Sequence, residues 1–227
     1  MSSNLSQIFT KFVTNNFQKV TQNTHSQIEN KIRKSSKGKI FFAEDFQKFG
    51  TSENIRQVLR RLEEQGVVVR LAHGIYLNPK KDELLGIVYP SIEQIAKEIA
   101  KRDKARIAPT GVMAMYLLGL STQIPLHAVY LTDGAQREIN IGKSKIKFKK
   151  TSPRNLAVKD GLLQLIIQAY KVTGEKNISQ AFEEKLIPYF KKLDENILNS
   201  QLKFAPVWIQ KRIRNINLSS NVASTTY

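Results

Sequence analysis

A chain of 227 residues, 41% of them hydrophobic, has room for one large domain or two of ordinary size and can bury a sizeable core. Its 36 Lys and Arg against 19 Asp and Glu leave a formal charge of +17, which attracts polyanions, either nucleic acid or an anionic membrane. No segment approaches the roughly 20 apolar residues of a spanning helix, and the lack of cysteine excludes disulfides, thiolate zinc sites and a cysteine nucleophile.

Residues 1–25 are polar, carry only Lys11 and Lys19 as charges, and lack the continuous apolar block of a secretory signal. They are read as an N-terminal extension. The segment 26–81 holds 12 basic and 6 acidic residues. Ser26 to Arg33 places Ile28 and Ile32 four apart behind a capping Ser, which predicts a short helix. Lys37-Gly38-Lys39 breaks it, and Ile40-Phe41-Phe42 predicts a small buried strand. Glu44 to Phe49 predicts a second short helix, acidic in its first turn and ended by Gly50.

Thr51 or Ser52 caps a third helix, in which Ile55, Val58, Leu59 and Leu62 form one buried stripe before Gly66. On a helical wheel the opposite face collects Glu53, Gln57, Arg60 and Glu64, flanked by Asn54, Arg56 and Arg61. Val67 to Leu71 reads as a strand, Ala72-His73-Gly74 as a tight turn, and Ile75 to Asn78 as the return strand before Pro79. Helix, strand, two helices and a hairpin is the order of a winged helix-turn-helix. An outer face of this kind suits the major groove, where Arg pairs bidentately with guanine and Gln or Asn with adenine. The candidate DNA-binding residues are Ser52, Asn54, Arg56, Gln57, Arg60 and Arg61 on the helix. Arg70, His73, Lys80 and Lys81 join them where a wing would meet phosphates. Glu53 and Glu64 oppose this reading unless they accept from cytosine or pair with Arg.

Residues 82–135 are nearly neutral. Ser91 to Arg102 predicts an amphipathic helix and Arg106-Ile107-Ala108 a short strand. Thr110 is expected to cap a helix from Gly111 to Leu118 that is apolar almost all round, and so the centre of a second core. Val129 to Thr132 predicts a strand turned at Asp133-Gly134. Arg137 to Ile141 and Lys145 to Lys150 then flank Gly142-Lys143-Ser144 as a hairpin. Ile146 and Phe148 alternate with Lys145, Lys147 and Lys149, so period two sets three lysines on one face. With Lys143 and Lys150 this forms a second basic surface, which either grips a further stretch of phosphate backbone or protects an edge strand.

The remainder reads as helices over Lys159 to Val172, Ser179 to Lys192 and Ala205 to Asn215, with Trp208 packed, before a frayed tail at 217–227. The expected organisation is therefore α+β: an N-terminal winged helix-turn-helix over 26–81, then a mixed α/β C-terminal domain over 82–216 ending in helices.

Catalytic signals fail on context. Gly142-Lys143-Ser144 echoes a phosphate-binding loop, but Arg137 stands where the earlier glycine is required and a strand follows. Asp133 and Glu138 suggest a nuclease, but residue 140 is Asn where a lysine is needed. His25, His73 and His127 are scattered, so no metal site, cofactor or catalytic residue is expected.

Several ordered blocks carry a resemblance. Lys37 to Phe41, Ile55 to Leu62, Gly66 and Arg70 to Tyr76 are similar to the N-terminal winged helix of the AbiEi-like antitoxins of type IV toxin–antitoxin systems, associated with abortive phage infection. The likeness continues through Ile107 to Gly111, Leu118 to Pro125, Tyr130 to Gly134, Ile141-Gly142 and Ile146 to Lys149, and covers about residues 26–190. The exclusions above leave a soluble, cytoplasmic protein that faces nucleic acid, and the resemblance implies a repressor of its own operon acting through the N-terminal domain. The C-terminal domain would neutralise a nucleotidyltransferase-type toxin. By position it implies operator contacts from Arg56, Gln57, Arg60, Arg70 and His73. The alternative is a protein-interaction module that neutralises a toxin with only non-specific DNA contact.

Overall fold

The computed structural model describes residues 24–125 and 127–223. All but Thr24 and His25 of the expected extension at 1–25 lie outside the described residues, as do 224–227 of the expected tail. The chain is α+β and divides into two compact units, Met1–Ser91 and Ile92–Tyr227.

In the first unit a helix over residues 24–33 (α1) buries Ile28 and Ile32 on one side. Strand β1 (Ile40–Phe42) follows, with all of its side chains buried. The expected second helix forms over Ala43–Phe49, but as a 3-10 helix. Its spacing explains the tighter winding: with three residues per turn, Ala43, Phe46 and Phe49 fall in line and all face the core. The Asp45 carboxylate accepts the Phe42 N–H at 2.8 Å and closes its first turn. Phe46 stacks on Phe41 with centroids 5.4 Å apart.

Helix α2 (Ser52–Glu64) begins at Thr51, whose hydroxyl accepts the Asn54 N–H at 3.3 Å. Ile55, Val58, Leu59 and Leu62 are buried together with Phe41, Phe46 and Tyr76. Strands β2 (Val69–Ala72) and β3 (Ile75–Leu77) make a hairpin across His73-Gly74. Gly74 has φ +71°, which a side chain there would disfavour. A bulge between Arg70 and Ala72 leaves Leu71 out of register. The sheet is three-stranded and antiparallel with β3 central, in the order β1-β3-β2.

Asn78, buried just after β3, ties this sheet to the end of α1. Its Nδ2 donates to the Ile32 carbonyl at 3.1 Å and the Ser35 hydroxyl at 3.0 Å, and its backbone pairs with Gly38 and Lys39. A separate hairpin, β4 (Lys80–Asp82) with β5 (Gly86–Val88), completes the unit.

The second unit holds α3 (Ile92–Arg102), β6 (Ile107–Pro109), α4 (Gly111–Leu117), β7 (His127–Thr132), β8 (Arg137–Ile141) and β9 (Ser144–Lys150). Helices α5 (Gly161–Thr173), α6 (Gln180–Phe190), α7 (Glu195–Gln201) and α8 (Val207–Ala223) follow. The four-stranded sheet has the order β6-β7-β9-β8, with β7 and β9 parallel and the other pairs antiparallel. The β8–β9 hairpin turns at Gly142, where φ is +56°. That hairpin folds back so that β9 fills the slot between β7 and β8.

Three expectations are corrected in this unit. The core centres on α5, where Leu163, Ile166, Ile167, Ala169 and Tyr170 are buried among Leu186, Phe190, Ile209 and Ile213. Helix α4 supplies only one wall: Val112 is 53% exposed, and Met113 and Ala114 are the buried pair. Thr110 does not cap that helix through its side chain, because its hydroxyl donates to the Val129 carbonyl at 3.0 Å and joins α4 to β7. Finally, α8 continues past Asn215 to Ala223, into the residues read as frayed. Trp208 packs edge-on against Tyr170 at 6.1 Å. Among the described residues no helix is long and apolar enough to cross a membrane.

Candidate nucleic-acid interface

Burial of one stripe of α2 fixes what the other side offers. Ser52, Glu53, Arg56, Gln57, Arg60, Arg61 and Glu64 are all exposed. The Arg56 side chain folds back to donate from Nε to the Ser52 carbonyl at 3.2 Å. Arg60 donates from Nε to Glu64 Oε1 at 3.1 Å, with its side chain 78% exposed. An exposed pair of this kind is worth at most about 1 kcal/mol, so the guanidinium can exchange Glu64 for a base edge or a phosphate at little cost. Glu64 thus holds the guanidinium along the helix, which answers one of the two carboxylates that opposed groove binding.

Asn54 is the exception and is corrected here: it is only 6% exposed. With about 3.6 residues per turn it lies about 40° from Val58, close enough for the buried arc to take it in. Its Cβ also lies beside Gly50, 3.8 Å from where a side chain there would begin. Asn54 therefore helps pack the start of α2 and offers no amide to a groove.

On the β2–β3 hairpin, Arg70 is exposed and its NH2 reaches His73 Nδ1 at 3.3 Å. Arg70 stands opposite Tyr76, whose phenol is pushed above its ordinary range by burial, with Arg70 acting against that rise. Arg70 and His73 are thus the polar groups near the hairpin turn.

Lys80 and Lys81 are elsewhere. They lie on β4, past the end of β3 where Leu77 pairs with Ile40 and Val69, which is the sheet end away from the His73-Gly74 turn. There they line a cavity of about 500 Å³ with Arg33, Lys37, Gln65 and Asn78. Arg33 and Lys37 escaped the sequence reading. Their signal was charge alone, in segments far from Lys80 along the chain.

The basic surface of the second unit is also rearranged. Strand β9 lies inside its sheet, between β7 and β8, so its lysines do not protect an edge. Lys147 and Lys145 sit 2.6 Å and 3.0 Å from the Glu138 carboxylate on β8, while Lys143, Lys149 and Lys150 are exposed. Hydrogen bonds from Lys147 and then Lys145 hold the Glu138 carboxyl down at about 2. A depressed carboxyl stabilises the fold above its ordinary value, so this contribution fades as pH falls from about 4.5 through about 2. In a carbon-detected NMR titration Glu138 is expected to titrate near the lower end of that range. An ordinary midpoint would show that the lysine pair is absent in solution.

Asp133 accepts both the backbone N–H of Arg106 at 2.7 Å and its Nε at 2.8 Å, which holds the carboxyl below the usual range. The two carboxylates that suggested a nuclease are each engaged by cations. Among the described residues no group of His, Asp or Glu gathers as a metal site.

Over residues 27–198 the sequence matches a family described as "Family of unknown function (DUF6088)", and the chain belongs to that family. Among curated proteins none matches it. Among solved structures, the RV2827C protein from Mycobacterium tuberculosis is similar at 14% identity and a TM-score of 0.48, over 88% of this chain and 77% of that one.

Proposed function

We propose that the first unit is a winged helix-turn-helix that binds duplex DNA, and that the chain regulates transcription of its own operon. Helix α2 lies in the major groove and the β2–β3 hairpin serves as the wing against the phosphate backbone. The observation that carries this reading is the division of α2: its apolar stripe is wholly buried, while Arg56, Gln57, Arg60 and Arg61 remain on the solvent side. Paired half-sites are usual for such modules, so the operator is expected to be an inverted repeat. The resemblance to AbiEi-like antitoxins extends the proposal to neutralisation of a nucleotidyltransferase-type toxin, tested by rescue of growth when the toxin of a neighbouring gene is expressed.

A gel-shift series with the DNA upstream of its own gene tests the first part. If the protein neutralises about six phosphates, affinity falls roughly 10³-fold between about 50 and 200 mM salt. Affinity that does not respond to salt would contradict the proposal.

The protein-interaction reading has one observation in its favour: Leu84 and Leu85, at the tip of the β4–β5 hairpin, are 95% and 80% exposed. Toxin affinity that survives loss of Arg56 and Arg60, with no footprint from the intact protein, would favour that reading over DNA binding.

A further inference from the structure

The cavity at the base of the three-stranded sheet has its own chemistry. It is lined by Arg33 from the end of α1, Lys37 from the loop after it, Gln65 to Val67 from the turn after α2, and Asn78 to Lys81. Among the described residues the lining holds four cations and no carboxylate. We propose that this cavity binds the di- or triphosphate chain of a nucleotide-sized ligand.

Three observations carry the assignment. The first is shape. At about 500 Å³ the cavity falls within the size range of small-molecule sites, whereas a duplex is too broad to enter a concavity of that volume. The second is charge. Arg33 is already paired with Glu29, which leaves the ammonium groups of Lys37, Lys80 and Lys81 to repel one another around the cavity, more positive charge than a single phosphate answers. A chain of two or three phosphoryl groups matches that charge, through charge-assisted hydrogen bonds from Lys and Arg.

The third is the construction of the wall. Buried Asn78 donates to the Ile32 carbonyl at 3.1 Å and the Ser36 carbonyl at 3.2 Å, which pins the α1–β1 loop to the sheet. Its Oδ1 accepts from Lys37 Nζ at 3.2 Å and holds that ammonium at the rim. Glu29 takes the Nε and NH2 edge of Arg33 at 2.7 Å, fixing the guanidinium from outside the cavity. The carboxylate of Asp82, next to Lys81, accepts the Leu84 and Leu85 N–H groups at 2.9 Å and 3.0 Å and so serves the β4–β5 turn. Among the described residues the lining contains no aromatic ring, and Val67 and Pro79 are its bulky apolar members. Recognition therefore falls on the phosphates and not on a base.

The test is calorimetric titration of the full chain with inorganic pyrophosphate, ATP, GTP and adenosine at near-physiological salt. Pyrophosphate, ATP and GTP are expected to bind with similar affinities and adenosine not at all. The Lys80→Ala/Lys81→Ala variant should weaken pyrophosphate and ATP about tenfold or more, as expected from losing hydrogen bonds to a charged group. A Lys176→Ala/Lys185→Ala variant removes the same charge from exposed sites in the other unit and should leave affinity unchanged. An equal loss in both variants would mean diffuse attraction to a cationic surface and would overturn the proposal, as would no binding of pyrophosphate. Arg56→Ala/Arg60→Ala, which impairs duplex binding on the proposed function, should bind pyrophosphate normally. Loss of duplex affinity in the Lys80/Lys81 variant without loss of pyrophosphate affinity would assign these lysines to DNA and overturn the proposal too.

Discussion

Replacing Arg56 and Arg60 together by alanine is expected to weaken operator binding by roughly 30-fold to 10⁴-fold, taking about 1–3 kcal/mol for each guanidinium that pairs with a base. Both side chains are exposed on the solvent side of α2, and neither belongs to the buried cluster beneath it. The Arg60–Glu64 pair lost with them is exposed, so fold stability should change by less than about 1 kcal/mol. Affinity and stability are therefore expected to separate: binding falls while the unfolding curve stays in place. Binding to unrelated duplexes should fall less than binding to the operator, because phosphate contacts from the hairpin remain. Unchanged operator affinity in the double variant would remove α2 from the interface.

Phe46→Ala is expected to destabilise the first unit by about 3–5 kcal/mol, the usual cost of deleting a fully buried aromatic ring. Phe46 is 0% exposed, with Phe41 5.4 Å and Phe49 6.5 Å away between ring centroids. The other Phe of that 3-10 helix, Phe49, is only partly buried, so the cavity left behind would loosen the layer beneath α2. The Lys31 ammonium lies 5.0 Å from the same ring and would lose that partner. Urea unfolding followed by far-UV circular dichroism measures the effect. A loss under about 1 kcal/mol would show that this ring is not central to the core.

What could be read in the sequence was local. The stripe Ile55, Val58, Leu59 and Leu62 lies within one helix, and His73-Gly74 and Gly142-Lys143 mark turns by their own chemistry. What could not be read depends on neighbours distant along the chain. Strand β9 looked like half of an isolated hairpin because its other partner, β7, joins it through parallel pairing that no local pattern reports. The β4–β5 hairpin went unseen because Lys80-Lys81-Asp82 shows neither alternation nor β-branched residues. The burial of Asn54 is a local exception: its Cβ lies 3.8 Å from where a side chain on Gly50 would begin, and a wheel drawn for α2 leaves that residue out. The four-cation cavity is assembled from separate segments, with Arg33 and Lys81 brought together by the fold alone. Helix α4 shows the converse error: its composition is that of a core helix, but α5 occupies the centre.

The central claim is that the exposed face of α2 and the adjoining hairpin meet duplex DNA. Hydrogen exchange of the full chain, measured with and without the duplex upstream of its gene, tests it most directly. The claim predicts new protection in peptides spanning Ser52 to Gln65 and Val69 to Leu77, with little change over β8 and β9. Protection confined to Lys143 to Lys150, with none in α2, would contradict it.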